Sequence, residues 1–163
     1  MERPLILVSN DDGISSEGLW AVVEAVVPLG DVLVAAPDRQ WSGAGRCMPH
    51  TVTGAYQELH RRVLGYDVTA YAVDASPALA VEHGILEFAP REPDLVISGI
   101  NFGANVSVDV TISGTVGAAL EAGSFGIPSL AVSLEMNSAF YLTGDSSADY
   151  SAAQAYCYRL AET

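Results

Sequence analysis

Apolar and polar positions along this chain follow two alternating rhythms. Leu5-Ile6-Leu7-Val8-Ser9 is a short continuous apolar run that stops at Asn10-Asp11-Asp12-Gly13, a turn-forming cluster. It predicts a buried strand that ends in a loop. From Glu17 to Val27, Leu19, Trp20, Val22, Val23, Val26 and Val27 recur at helical spacing, and Pro28 and Gly30 close the segment. Asp31 to Ala36 reads as a second buried strand, ended by Pro37-Asp38. Arg39 to Leu64 shows no clear period and is rich in Gly, Ser, His and Arg. A stretch of that length inside a compact domain is a functional loop or holds short elements without a signature.

The rhythm then resumes. Val68 to Val73 predicts a strand, and Ser76-Pro77 opens a helix that runs to about Leu86. Asp94-Leu95-Val96-Ile97-Ser98 repeats the first pattern, followed by Gly99, Asn101 and a glycine-rich loop to Gly114. Thr115 to Ala122 predicts a helix of small residues, Ser129 to Ser133 a strand, 135–147 a loop, and Asp149 to Glu162 a final helix. Strands separated by helices, and apolar nearly throughout, imply an α/β fold with a mainly parallel sheet covered on both faces. No repeat or linker interrupts residues 1–163, so a single domain is expected. In such sheets ligands gather beyond the carboxyl ends of the strands. Three polar clusters fall there: Asn10 to Asp12, Asp38 to Ser42, and Asn101 to Asn105.

Charge narrows the partners. With 7 basic and 20 acidic residues the net charge is -13, so the mean field repels nucleic-acid backbones and anionic membranes. An anionic substrate must therefore be held by local devices: a metal ion, a helix N-terminus or a single Arg. All seven basic residues are Arg. The lack of Lys removes the Walker-type phosphate Lys, a Schiff-base Lys and the Lys beside the acidic centre of receiver and haloacid-dehalogenase domains. Cys47 and Cys157 show no CxxC spacing, which fits two reduced thiols. Apolar runs are too short to span a bilayer, and Met1-Glu2-Arg3-Pro4 leads into a strand rather than a signal peptide, so a soluble, cytoplasmic protein is expected.

Each cluster has a chemical reading and a plain one. Asp11 and Asp12 place adjacent carboxylates at a strand exit, costly unless a cation neutralises them or one is protonated; an Asp-rich turn is the alternative. Ser42 offers a hydroxyl between Trp41 and Gly43, and Arg39 could pair with Asp38 or a substrate; a simple turn is the alternative. Trp41 could stack on a base or cover the core. Asn101 and Asn105 supply neutral oxygens and amide donors in a glycine-punctuated loop, or tolerate left-handed turns. Ser113-Gly114-Thr115 opens a helix, serving as an ordinary cap, an anion site, or both. His50, His60 and His83 lack metal-ligand spacing, and neither GxSxG nor GxGxxG occurs.

Taken together, four stretches resemble the SurE family: Ile6 to Gly13, Ala36 to Ala44, Pro93 to Asn101, and Ser113 to Val116, in matching order and spacing. The resemblance implies a Rossmann-like three-layer α/β sandwich and a divalent-metal-dependent phosphatase acting on nucleoside 5'- or 3'-monophosphates. It implies one Mg or Mn ion per site, with Asp11, Asp12, Ser42 and Asn101 as metal ligands, and Asn105, Ser113, Gly114 and Thr115 against the phosphate. Asp11 and Asp12 are the expected catalytic pair, and a homodimer or homotetramer the expected assembly. Two positions depart from the family pattern: Leu79 stands where an acidic residue is usual, and Ile112 where a Tyr is usual. The resemblance covers the larger N-terminal part of a typical member, whose C-terminal segment has no counterpart after Thr163. A nucleotide- or phosphate-binding module without turnover is the second expectation. A receiver-like signalling domain is the third, and the lack of Lys argues against it.

Overall fold

The computed structural model describes residues 3–136 and 148–162. Within them lie strands Leu5–Ser9 (β1), Asp31–Pro37 (β2), Tyr56–Val63 (β3), Tyr66–Val73 (β4), Leu95–Phe102 (β5) and Ser129–Leu134 (β6). They form one sheet in the order β3-β4-β2-β1-β5-β6. All neighbours pair in parallel except β3, which runs antiparallel to β4 at the edge. The helices are Glu17–Val26 (α1), Pro77–His83 (α2), Gly114–Ser124 (α3) and Ser151–Ala161 (α4). A π-type turn, Gly84–Phe88, prolongs α2, and a short 3-10 turn, Ser107–Thr111, precedes α3.

Strand β1 is buried along its whole length, which is why its sequence is apolar without alternation. Its successive side chains still point to opposite faces. Ile6 and Val8, with Val34 and Ile97, pack against Leu19, Val22, Val23 and Val26 of α1 and Cys157 of α4. Leu5 and Leu7, with Leu33, Ala35 and Val96, meet Val81 of α2 and Ala118 and Ala122 of α3. The result is three layers, as expected. Fully buried Leu19 and Val22 each stabilise the upper layer by about 1.5–3 kcal/mol relative to exposure.

Three segments differ from the sequence reading. The aperiodic stretch after Arg39 contains β3, whose residues Tyr56 to Arg62 are mostly exposed, so no apolar alternation marks it. Strand β5 continues through Gly99 to Phe102, with a register shift against β6 between Ser98 and Asn101. Gly99 and Asn101, which read as loop residues, therefore belong to a distorted strand end. The expected loop at 135–147 lies, apart from its first two residues, outside the described residues. Among the described residues no helix is long and apolar enough to cross a membrane.

From β1 the chain passes through α1 to β2 on one side, while β5 lies on the other. Connections that leave a strand in opposite directions open a crevice at its carboxyl end. That crevice separates the ends of β1 and β5.

Candidate active site

Asp11 leaves β1 4 % exposed and meets the start of α3. The Thr115 hydroxyl donates to its Oδ1 at 2.6 Å, and Thr115 is itself fully buried. A Cβ on Gly114 would stand 2.7 Å from the Asp11 Cβ, so glycine is what lets helix and carboxylate approach. Burial pushes the Asp11 carboxyl above its usual value, against the Thr115 hydroxyl and the amides of Thr115 and Gly114, which pull it down. The Asp12 carboxyl is pushed up to about 6 by burial, with the Asp11 charge adding to the effect. The Phe102 N–H donates to Asp12 Oδ2 at 3.0 Å and the Gln40 amide to Oδ1 at 3.3 Å, which opposes the shift.

The turn that presents both carboxylates is built by its neighbours. Buried Asn10 accepts the Gly13 N–H and donates to the Gly13 carbonyl, both at 3.1 Å, around a Gly13 φ of 92° that favours glycine. The Trp41 N–H donates to the Asp11 carbonyl at 2.7 Å and ties the loop after β2 to the loop after β1. Asp12 is tied to the end of β5 through Phe102. All three strand-end loops are thus linked by hydrogen bonds.

They enclose a cleft of about 290 Å³, with Asp11, Gln40, Ser42, Asn101, Asn105 and Ser113 among its lining. Asn101 Nδ2 donates to the Gly103 carbonyl at 2.7 Å, and Asn105 Nδ2 to Ser133 Oγ at 2.8 Å, so each Asn keeps its side-chain oxygen as an acceptor. Ser113 caps α3, accepting the Val116 N–H at 3.2 Å. Of the eight residues expected at the site, five line this cleft. Asp12 joins it through Gln40 and Phe102, and Gly114 and Thr115 stand behind Asp11. A larger hollow of about 430 Å³ lies between α1 and α4, beside Trp20, Glu24, Arg61 and Gln154. It holds none of the strand-end oxygens; size does not make it the site.

The donor set fits a hard divalent cation. Asp11 is buried and the adjacent Asp12 half-buried, and among the described residues neither forms an ion pair with Arg or His. Among the described residues no three His, Cys, Asp or Glu side chains gather as a metal cluster. An ion here would rest on two carboxylates supplemented by neutral oxygens, of which Ser42 and Asn101 are at hand. Other candidates resolve plainly. Arg39 pairs with Asp38 at 3.0 Å and Asp74 at 2.8 Å, and its guanidinium lies 5.2 Å from the centre of the half-buried Trp41 ring. His50 and His60 are exposed, and His83 pairs with Glu87 at 2.6 Å. Both cysteines are free, and burial pushes the Cys157 thiol up to about 11. Sequence reasoning missed Gln40 and the Phe102 N–H as Asp12 partners. Gln40 stood two residues before Ser42 in a strand-end loop, while a backbone donor leaves no trace in residue type.

Fold and cleft together define a Rossmann-like α/β protein with an acidic site at the strand ends, set against a helix N-terminus. Residues 6–163 match the family described as Survival protein SurE, and the chain belongs to that family. It is 49% identical over 134 residues to a protein named 5'-nucleotidase SurE from Methanopyrus kandleri, covering 82% of this chain and 50% of the relative. It is 42% identical over 158 residues to the 5'-nucleotidase SurE of Geotalea daltonii, covering 97% of this chain and 58% of the relative. The crystal structure of a SurE protein from Aquifex aeolicus superposes with a TM-score of 0.73 at 34% identity, covering 96% of this chain and 58% of that one. The chain thus spans between half and six-tenths of the length of these relatives.

Proposed function

We propose that this chain is a phosphatase of nucleoside monophosphates that depends on a divalent metal ion, Mg or Mn. The observation that carries the reading is the convergence of Asp11, Ser42, Asn101, Asn105 and Ser113 on one cleft, with Asp12 bonded to the same loops. The names of the relatives from Methanopyrus kandleri and Geotalea daltonii support the nucleotide monophosphate as substrate.

In this reading Asp11, Asp12, Ser42 and Asn101 hold the ion, which when bound polarises a phosphoryl oxygen and lowers the pKa of a coordinated water. Thr115 keeps Asp11 oriented by its 2.6 Å hydrogen bond, and Phe102 does the same for Asp12 through its N–H. Asn105, Ser113, Gly114 and Thr115 form the phosphate side. There the positive end of the α3 dipole favours the charge that develops on the phosphoryl oxygens. Thr115 contributes from behind Asp11, as part of the helix end. Asp11 and Asp12 are the candidates to assist proton transfer. We extend the reading to a homodimer or homotetramer as the working assembly.

A second reading, a nucleotide- or phosphate-binding module without turnover, is favoured by one residue. Ile112 stands 56% exposed and lines the cleft where the family resemblance leads one to expect Tyr. One experiment separates the two: phosphate release from nucleoside 5'- and 3'-monophosphates with Mg²⁺ or Mn²⁺, alongside equilibrium binding of the same nucleotides. Metal-dependent release supports the phosphatase. Binding without release selects the module, and neither binding nor release removes both.

A further inference from the structure

The loop that carries Ser42 has little in its own sequence to hold it still. Gly43 and Gly45 both have positive φ, 74° and 55°, and a Cβ built on Gly43 would meet nothing within 4 Å. The loop is tied before Ser42 by the Trp41 N–H to the Asp11 carbonyl at 2.7 Å. After it, the Cys47 carbonyl accepts Ser76 Oγ at 2.6 Å. Between those points two turn bonds of 3.2 Å, Ala44 N–H to the Trp41 carbonyl and Cys47 N–H to the Ala44 carbonyl, shape the loop, and α3 with the residue two before it supports it from outside. The Gly45 N–H donates to the Ile112 carbonyl at 2.8 Å. A Cβ on Gly117 would fall 2.2 Å from the Gly45 carbonyl oxygen and 2.7 Å from the Arg46 nitrogen, so the loop backbone lies directly on the helix.

One turn further along α3, Glu121 is 4% exposed and its Oε2 accepts Arg46 Nε at 2.7 Å. Removing Arg46 would leave the buried Glu121 carboxylate with the Ser124 hydroxyl at 3.3 Å and, among the described residues, no charged partner, an unfavourable state that makes the pair an attachment point. Among the described residues it is the one side-chain hydrogen bond made from Ser42 through Arg46. The first turn of the same helix holds Asp11 through Thr115. A single rigid element therefore supports Asp11 at one end and the Ser42 loop at the other.

We infer that Arg46, anchored by Glu121 where the loop lies on Gly117, is a positioning residue that sets Ser42 against Asp11. It does not touch substrate or ion; it fixes the reach of the loop that does. The inference rests on the proposed metal site, so its test needs a readout that does not.

The experiment compares the unsubstituted chain with Arg46→Ala, Arg46→Lys and Glu121→Gln. Backbone amide exchange at Gly45 is followed in the metal-free protein, Mn²⁺ affinity is followed by electron paramagnetic resonance, and kcat/KM is followed with a nucleoside monophosphate. Arg46→Ala is expected to speed Gly45 exchange and to weaken Mn²⁺ binding and kcat/KM by about tenfold, the usual scale for groups that orient metal ligands. Arg46→Lys should recover part of both, since it keeps the charge and loses the planar fork.

Unchanged Gly45 exchange in Arg46→Ala overturns the inference, because exchange reports the local opening that the contact is inferred to suppress. Faster exchange with unchanged Mn²⁺ affinity overturns it too, because the pair would then be structural only. If the unsubstituted chain neither binds Mn²⁺ nor releases phosphate, the proposed function fails. Exchange at Gly45 then decides the clamp by itself. If Glu121→Gln does not fold, the two Arg46 variants, changed at a half-exposed side chain, carry the test.

Discussion

The two ends of the central strands hold aspartates in opposite circumstances. At the amino ends, Asp31 faces Arg3 at 3.2 Å, and Asp94 accepts both the Leu5 N–H and Arg91 at 2.7 Å. Those bonds, the Leu5 amide first, hold the Asp94 carboxyl below its usual range. At the carboxyl ends, Asp11 is buried and Asp12 half-buried, and burial raises both. Position in the sheet is not the whole cause. Asp74, just past β4, is drawn down to about 2 by the Thr53 hydroxyl and amide and by Arg39. The difference lies in burial and in the supply of cations: Asp94 and Asp74 pair with Arg, whereas among the described residues Asp11 and Asp12 accept from neutral donors. A carboxylate pair that is desolvated and lacks a cationic partner marks a candidate functional site, whereas carboxylates paired with Arg serve stability.

The largest expected effect breaks the acidic end. Asp11→Asn and Asp12→Asn should each lower phosphate release by roughly 100-fold or more, since charge stabilisation by a bound cation is worth several kcal/mol. Retained release in both would dissolve the contrast between the two ends. Thr115→Val removes the hydroxyl from Asp11 and should cost about tenfold in release, with Mn²⁺ affinity falling in step.

Stability sharpens the same contrast, with opposite signs at the two kinds of site. The Asp12 carboxyl is raised from 3.8 to about 6, so its ionised form destabilises the metal-free fold above pH 6. That penalty fades as pH falls from about 6 to 3.8. Asp12→Asn should therefore stabilise the metal-free protein by about 1 kcal/mol at pH 7, and the gain should vanish below the unfolded value, as read by urea titration with chelator present. Asp74 runs the other way. Its carboxyl is lowered from 3.8 to about 2, so its contribution is complete above 3.8 and disappears as pH falls through 2. Asp74→Asn should flatten the acid limb of the unfolding curve in that window. The smallest effect belongs to the amino end: Arg91→Ala, at a partly exposed pair, should cost less than about 1 kcal/mol in thermal unfolding and leave phosphate release unchanged.

Legibility followed burial. Strands β1, β2 and the first half of β5 announced themselves because two covered faces demand unbroken apolar runs. Strand β3 did not: pairing on one side and facing water, it carries Gln57, Glu58, Arg61 and Arg62, and nothing in its composition requires a strand. At the site, oxygen-bearing side chains beside glycines were readable, and five of them line the cleft. Thr115 read as a phosphate donor, while in the fold its hydroxyl points to Asp11, a partner 104 positions away. The Phe102 N–H and the Arg46–Glu121 pair were invisible for related reasons. One is backbone, and the other joins positions 75 apart that no local pattern connects.

Helix α3 carries Thr115 near its start and Glu121 about 1.7 turns later, so the angle between these side chains is set by helical phase. Inserting one residue between them would rotate the distal half by about 100° and swing Glu121 away from the loop without altering any functional side chain. The spacing from 115 to 121 is thus a ruler for the site.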